Sequence, residues 1–510
     1  MPIEKAKWRR FSAWLLTCGM SFSAMAASNN TAVALDSYTI DVDFKLTHAI
    51  LPLDLTASEG KELVLFGVDE KQQRWLSIFE RDAEKGYQQA YSIEVPYDFY
   101  AFDVTDEDVE RNQHDLYFLS SEALHKTVLQ PGKISFEKLQ DIAPITLKKR
   151  VEFITKSDFV IDINQDTQDD FFIPGLQQAQ LYVSGDNAEY QSIALPISPQ
   201  VEHFSDGARY RAAKVYFVDL NLDGLDDIVK VGEGEFEFYP QQADGKFATI
   251  AQYVPVSLAI SGMDWWNKRD AYGESLDQSD LIYRKVEQLQ DINADGMADL
   301  VVRYTKSSGV LDRVNDYEIY LGENKSGLLS FPKKPTSVIR ADGTLTGFEL
   351  VDVDEDNIHE VMVAGFDIGL SQIIGALVSG SIDQDVHLFK MNGSNTYASK
   401  ANTSKEVELS FSLTSGQSGS PVVKLVDLNG DGLKDLLLSD GEDELRFYVG
   451  EDSSKLFSSR SNKINITLPQ DGEMLSSADL NGDGKHDLLV KYGRQDEEEL
   501  QSQFKVMLSN

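Results

Sequence analysis

The feature that most constrains the fold is a nine-residue acidic loop that occurs six times between residues 162 and 487. Each copy has side-chain oxygens at loop positions 1, 3, 5 and 9, and an apolar run follows directly. Four copies have glycine at position 6, whereas the other two have Thr167 and Asn357 there. The oxygen-bearing residues are Asp162, Asn164, Asp166, Asp170, Asp219, Asn221, Asp223, Asp227, Asp291, Asn293, Asp295, Asp299, Asp352, Asp354, Asp356, Glu360, Asp427, Asn429, Asp431, Asp435, Asp479, Asn481, Asp483 and Asp487.

This donor set predicts a hard cation, because calcium takes six to eight oxygen ligands and a tight loop can supply several from one segment. An EF-hand needs a glutamate at position 12 and a helix on each side. Position 12 holds Ile173, Lys230, Val302, Val363, Leu438 or Val490. The runs after position 9 favour strands, which also argues against dockerin-type loops. Metal-free Asp-Gly hairpin turns are the alternative, although such turns do not require carboxylates at positions 1, 5 and 9.

The spacing of the copies predicts a β-propeller. Loop starts lie 52 to 75 residues apart, and weaker copies begin at Asp54 and Asp103. Every copy before the last contains four strand-like runs, which is typical of a propeller blade. The expected fold is therefore all-β with eight four-stranded blades, or seven if the Asp103 copy is not a full blade. The eighth copy ends at its third strand, so an N-terminal strand near residues 38–44 is expected to complete it and to remove open sheet edges.

Residues 1–26 read as a secretory signal peptide, which leaves residues 27–510 as a single propeller domain. Basic residues precede an apolar core at 11–22, and Ala24-Met25-Ala26 forms an A-x-A cleavage site. The apolar run is too short to span a bilayer. Cys18, the only cysteine, allows a lipoprotein alternative, but Thr17 before it is a poor match. We expect an exported protein, periplasmic or extracellular, without membrane insertion.

The loops resemble the FG-GAP/VCBS repeats of bacterial secreted proteins and the calcium-binding blades of integrin α-subunits. The shared motif is D-x-N-x-D-G-x-x-D followed by an apolar strand, as at 427–438 and 479–490. The resemblance implies a β-propeller with calcium in the loop between the first two strands of a blade. The copies at Asp54 and Asp103 lack the carboxylate set, so we expect them to be metal-poor.

The sequence favours a non-catalytic binding module. It contains no H-E-x-x-H or G-x-S-x-G motif, and His114, His359 and His486 share one loop position, which indicates structural variation. A formal net charge of -37 argues against nucleic acid and anionic membranes as partners. We expect a glycan or a protein as ligand. The alternative is a polysaccharide lyase or hydrolase built on a calcium-binding propeller.

The ligand is expected on the face opposite the acidic loops. In an antiparallel blade, the first and third connections lie on one face, and the second connection and the link to the next blade lie on the other. The longest additions to the repeat, 261–280, 305–315 and 366–385, belong to that second face. Trp265, Trp266 and Tyr272 are the candidate ligand-binding residues, because exposed aromatic rings suit both sugars and protein partners. Alternatively, Trp265 and Trp266 pack beneath the 366–385 addition as a small apolar cluster.

Overall fold

The computed structural model of the chain describes residues 33–82, 84–105, 113–143, 150–185, 189–309, 312–341, 344–366, 381–412 and 417–510. The predicted signal peptide and the centre of the 366–385 addition lie outside the described residues. The helices of the described part are three short 3₁₀ turns, Trp265–Asn267, Gly472–Met474 and Glu498–Ser502, and none has the length and apolarity of a membrane-spanning helix.

Eight sheets with a core of four antiparallel strands form the blades, which confirms the eight-bladed β-propeller. Blades 1 to 4 follow the sequence copies in order. The first strand of blade 1 is split into Lys45–Leu46 and Leu51–Leu53. The other strands of blade 1 are Glu62–Val68, Arg74–Asp82 and Gly86–Glu94, and blade 2 consists of Phe99–Val104, Leu116–Ser120, Ala123–Gln130 and Lys133–Asp141. Blade 3 consists of Val160–Ile161, Asp170–Ile173, Ala179–Ser184 and Tyr190–Leu195, and blade 4 of Val215–Val218, Asp227–Val231, Glu235–Tyr239 and Gln252–Pro255.

Blades 5 to 8 continue in the same way, and the Asp103 copy is a complete blade, so the seven-bladed alternative is wrong. Blade 5 consists of Leu281–Gln290, Asp299–Gly309, Asp312–Tyr320 and Ser337–Ile339. Blade 6 consists of Thr344–Val351, Glu360–Phe366, Ser381–Phe389 and Thr403–Ser412, and blade 7 of Val423–Val426, Asp435–Ser439, Glu444–Tyr448 and Asn462–Asn465. Blade 8 consists of Leu475–Ala478, Asp487–Lys491, Gln503–Ser509 and the N-terminal strand Leu35–Asp41.

Both ends of the described chain build blade 8, as the sequence predicted. Leu35–Asp41 runs antiparallel to Gln503–Ser509, with Leu35 opposite Ser509 and Asp41 opposite Gln503. Phe504 and Val506 of this blade pack against Leu63 of blade 1. The ring is therefore closed by strand pairing within blade 8 and by apolar packing between blades 8 and 1.

The core lies between successive blades. The continuous apolar runs after the acidic loops form second strands that are buried on both sides, as the absence of alternation predicts. In blade 7, Leu437 packs in a cluster with Leu488 of blade 8, whereas its neighbour Leu436 packs with Leu388 of blade 6. Alternate residues of one strand thus serve two interfaces.

The two faces of the ring differ in what they carry. We call the face with the acidic loops the loop face and the opposite one the insertion face. Three additional short hairpin pairs occur: Gln200–Phe204 with Gly207–Arg211, Glu323–Asn324 with Leu329–Ser330, and Met391–Asn392 with Thr396–Tyr397. Two further short strands extend blades 2 and 6, Thr155–Lys156 and Gln417–Ser418. The first hairpin links blades 3 and 4 and therefore belongs to the insertion face. The predicted 305–315 addition is a taller strand pair, not a loop.

Candidate metal loops and the insertion face

Each acidic loop joins the first and second strands of its blade, where the resemblance implied it would lie. In blade 7 the first strand ends at Val426, Asp427 opens the loop, and Asp435 is the first residue of the second strand. Residues at position 9 begin the second strand in all six loops; they are Asp170, Asp227, Asp299, Glu360, Asp435 and Asp487. The last oxygen donor of each loop is thus fixed by the sheet.

Hydrogen bonds to the position 1 carboxylate curl the loop. In blade 8, Asp479 Oδ1 accepts from the backbone N–H of Gly482 at 2.7 Å and of Asp483 at 3.2 Å, and its Oδ2 accepts from Gly484 at 2.9 Å. Asn481 Oδ1 accepts from Asp483 N–H at 2.9 Å. The turn brings the side chains at positions 1, 3 and 5 together on the inside of the loop.

Position 6 requires a left-handed backbone conformation in all six loops. The φ angles there are +90° at Gly224, +83° at Gly296, +82° at Gly432 and +83° at Gly484. Thr167 and Asn357 adopt the same conformation with φ of +66° and +64°. Glycine and asparagine tolerate this region, whereas a β-branched residue is strained there. The two copies without glycine therefore keep the same turn.

The carboxylate at position 9 is fully buried. In blade 7, Asp435 Oδ2 accepts from Leu428 N–H at 3.2 Å and Oδ1 accepts from Gly450 N–H at 2.8 Å. Burial, together with the nearby carboxylates of Asp431 and Asp427, raises the pKa of Asp435 to about 7. A buried carboxylate next to other carboxylates is electrostatically costly unless a positive charge is close to it.

The donor groups fit a hard divalent cation. Oδ1 of Asn221 and Oδ1 of Asp354, both at position 3, are buried without a hydrogen-bond partner. In blade 6, one carboxylate oxygen from each of Asp352, Asp354 and Asp356 lies within 4.8 Å of the others. Oxygen-only donors that converge in this way suit calcium better than softer transition metals.

The loop of blade 1 satisfies its charges within the chain. Lys61 Nζ lies 2.8 Å from Asp54 Oδ2. Thr56 Oγ1 donates to Glu62 Oε1 at 2.6 Å, and Ser58 Oγ donates to the same oxygen. Thr56 and Ser58 thus occupy positions 3 and 5, where the acidic loops carry amide or carboxylate oxygens, and Lys61 at position 8 supplies a positive charge.

Blade 2 departs further from the predicted loop. Asp103 lies inside the first strand, and its Oδ2 accepts from the backbone N–H groups of Phe159 at 2.6 Å and Val160 at 2.8 Å. Asp115 pairs with Lys126 at 2.5 Å. Asp103 therefore anchors the first strand of blade 3, and the intervening residues 106–112 lie outside the described residues.

Backbone hydrogen bonds connect neighbouring loops. The N–H of the residue at position 8 donates to the carbonyl oxygen at position 1 or 2 of the preceding blade. These bonds are His359 to Ile292 at 3.0 Å, Lys434 to Val353 at 2.9 Å, His486 to Asp427 at 2.7 Å, Lys61 to Leu480 at 3.2 Å and His114 to Asp54 at 2.6 Å. These bonds use only backbone atoms, so both histidine and lysine at position 8 can make them.

The three candidate ligand-binding aromatics differ in exposure. Trp265 is 6% exposed, Trp266 46% and Tyr272 90%. The indole rings of the two tryptophans meet edge to face with centroids 5.5 Å apart. The guanidinium of Arg313 lies 5.8 Å from the ring centroid of Trp265, and that of Arg303 lies 5.2 Å from the ring centroid of Trp266. Trp265 is therefore a packing residue, and the other two present free ring surface.

Charged side chains hold this segment on blade 5. Asp264, just before the tryptophans, pairs with Arg303, and Arg303 Nε lies 3.2 Å from Glu287 Oε1. Arg211 of the blade 3–4 hairpin donates to Asn267 Oδ1 at 2.5 Å. The sequence reading missed this hairpin, whose Tyr210 is half exposed. The turns around 205–206 and the alternation in 200–211 were the available signals.

Residues 427–490 match the family described as FG-GAP-like repeat, which confirms the predicted resemblance over the loops of blades 7 and 8. A search of curated proteins finds no match to this chain. Similar solved structures include a lectin of Agrocybe aegerita that recognises non-reducing terminal N-acetylglucosamine (15% identity, TM-score 0.38, covering 86% of this chain and 92% of the lectin). The WD40 domain of SCAP from fission yeast is another (12% identity, TM-score 0.34, covering 93% and 98%). The assignment of the propeller rests on the strand pairings above.

Proposed function

We propose that this protein is an exported, calcium-stabilised β-propeller that binds a glycan or a protein on its insertion face and performs no catalysis there. The observation that carries the proposal is the exposed ring surface of Trp266 and Tyr272 on a segment that an ion pair joins to blade 5. Side chains placed on connections of a rigid scaffold are where binding residues concentrate. Aromatic rings bury a large area at small entropic cost, which suits stacking against a sugar or a protein side chain.

Calcium is proposed for the six acidic loops, with the side chains at positions 1, 3, 5 and 9 as its ligands. Its role is structural, because the ion would neutralise clustered carboxylates at the turn between the first two strands. A ligand that binds only the folded state adds RT ln(1 + [L]/Kd) to stability, so several sites add up. The ion lies on the face opposite Trp266 and Tyr272 and supports their scaffold from a distance.

A glycan array tests the ligand proposal. The mature protein is screened in calcium and in chelator, together with the double variant Trp266→Ala/Tyr272→Ala. The matched control is Ile250→Ala, because Ile250 is 81% exposed but belongs to the loop face. Binding by wild type and control with loss in the double variant supports the proposal. Equal binding by all three proteins contradicts the assigned face. If no glycan on the array binds, the glycan half of the proposal fails and a protein remains as the proposed ligand.

Export is part of the proposal, and it rests on residues 1–26. Amino-terminal sequencing of protein recovered from the periplasm or medium should begin near Ala27. Exported protein that retains Met1 would contradict a cleaved signal.

A further inference from the structure

The loop of blade 6 differs from the other five acidic loops at two positions at once. Position 3 is Asp354, whereas the others have asparagine. The second position lies at the end of the third strand. Val361, at loop position 10, pairs with Phe389 of that strand, and the residue directly after Phe389 is Lys390. The equivalent residues in blades 3, 4, 5, 7 and 8 are apolar: Val183, Pro240, Leu321, Val449 and Leu508.

These two exceptional residues meet in space. Lys390 Nζ forms an ion pair with Asp354 Oδ2, and the side chains are only 23% and 12% exposed. The backbone N–H of Lys390 donates to Asn402 Oδ1 at 2.8 Å, which holds the backbone from which the lysine side chain extends. The electrostatic influence of Glu360 and Asp356 reaches the same ammonium. Lys390 thus places a positive charge among the oxygen donors of this loop.

In other loops the asparagine amide at position 3 donates to the carboxylate at position 5, a bond that Asp354 cannot make. Asn293 Nδ2 donates to Asp295 Oδ2 at 3.1 Å, and Asn481 Nδ2 donates to Asp483 Oδ2 at 3.2 Å. A carboxylate at position 3 cannot donate and adds a negative charge. Among the described residues, no lysine or arginine pairs with the loop carboxylates of blades 4, 5, 7 and 8. In blade 6 the ammonium offsets the added charge.

We propose that Lys390 is a built-in counter-cation that stabilises the blade 6 loop without a divalent ion and weakens calcium binding there. The second half rests on the proposed calcium role, whereas the first half does not. Opposite charges at contact distance attract and stabilise the ion pair, and the same positive charge repels an incoming cation. Lys61 and Lys126, at other positions of their blades, pair with Asp54 and Asp115 of the first two loops.

The test compares Lys390→Met with Lys400→Met. Lys400 is an exposed lysine in the same connection between the third and fourth strands. Melting temperatures are measured in chelator and in calcium at matched ionic strength. In chelator, Lys390→Met should melt lower than wild type by on the order of 2 °C. Calcium should then raise its melting temperature by more than it raises that of wild type, whereas Lys400→Met should follow wild type.

Each outcome has a separate meaning. Equal melting of Lys390→Met and Lys400→Met in chelator overturns the counter-cation role. A calcium-induced shift no larger in Lys390→Met than in wild type overturns the effect on calcium binding. If calcium shifts no protein but Lys390→Met still melts lower, the calcium proposal fails and the counter-cation role stands.

The converse experiment moves the pair into blade 7. Asn429→Asp together with Val449→Lys recreates both blade 6 residues at equivalent positions. The calcium-induced shift in melting temperature should become smaller than in wild type. A shift of wild-type size would show that the pair does not act as proposed.

Discussion

The backbone N–H of Lys61 in blade 1 donates to the carbonyl oxygen of Leu480 in blade 8, 3.2 Å away. This bond joins the first loop of the ring to the last one, at the interface where the two ends of the chain meet. A Cβ atom on Gly60, the preceding residue, would lie 2.4 Å from the same Leu480 oxygen. Close approach of the two backbones here therefore requires glycine.

Gly60→Ala should destabilise the ring at this interface. Gly60 has a φ of +85°, so alanine adds backbone strain as well as the clash with Leu480. Gly245→Ala is the matched control, because Gly245 has a φ of +76° and nothing within 4 Å of its would-be Cβ. The strain alone costs about 1 kcal/mol. Urea unfolding should show a clearly larger loss for Gly60→Ala, and equal losses would contradict a close-packed interface.

Loss of one loop carboxylate should remove one bound calcium ion. Asp483→Ala and Asp431→Ala each delete the position 5 ligand of an acidic loop, whereas Ser58→Ala changes the same position in blade 1. Native mass spectrometry of the proteins in calcium measures the number of ions. At calcium concentrations high enough to fill the weakened blade 6 site as well, we expect about six in wild type, from one ion per acidic loop, and about one fewer in each aspartate variant. An unchanged count in both aspartate variants, or a lower one in Ser58→Ala, would contradict the ligand assignment.

The two tryptophans should respond differently to truncation. Trp265→Ala removes a buried ring and should lower the free energy of unfolding by about 3 kcal/mol. Trp266→Ala should change it little, because 46% of that side chain is exposed. Chemical unfolding measures both values. Equal destabilisation would mean that Trp266 is also a packing residue, and the choice of the ligand site would then be wrong.

His48 should make stability depend on pH between about 4 and 6.5. Its Nδ1 lies 2.9 Å from Thr47 Oγ1 and its Nε2 lies 2.7 Å from the Ile154 carbonyl, which fits a neutral ring protonated at Nε2. Burial lowers the pKa of His48 to about 4. As pH falls below 6.5, the unfolded chain binds a proton that the folded ring does not, so the free energy of unfolding decreases, by up to about 3 kcal/mol.

The measurement compares the pH dependence of unfolding for wild type, His48→Gln and His203→Gln, all in the same buffer. His203 is exposed on the blade 3–4 hairpin. The difference between wild type and His48→Gln isolates the buried histidine from the many carboxylates. A curve for His48→Gln that runs parallel to wild type would contradict a buried neutral ring.

The ring could be predicted because a local sequence motif marks most of its blades. A nine-residue loop followed by a run such as Leu436 to Leu438 fixes both a turn and a strand buried on two sides. Even the closing strand followed from counting, since the last copy lacks its fourth strand. Local pattern and global fold agree at nearly every blade.

The rest depends on contacts between distant residues. Lys390 lies 36 positions after Asp354 and looks like an ordinary strand-end lysine until the two strands pair. Asp103 resembles a loop opener, but its carboxylate is used by the N–H groups of Phe159 and Val160. Trp265 and Trp266 are adjacent and chemically alike, and only tertiary packing separates a buried ring from an exposed one.

The N-terminal strand in blade 8 sets the unit by which such a ring can grow or shrink. The sequence copy begins with the first strand of a blade, so a whole copy between blades 2 and 7 carries one complete sheet. Gene duplication or loss of such a copy would insert or delete a wedge while Leu35–Asp41 still fastened onto Gln503–Ser509. The fastening is independent of how many wedges lie between its two halves, so relatives with different blade numbers can share the same ends.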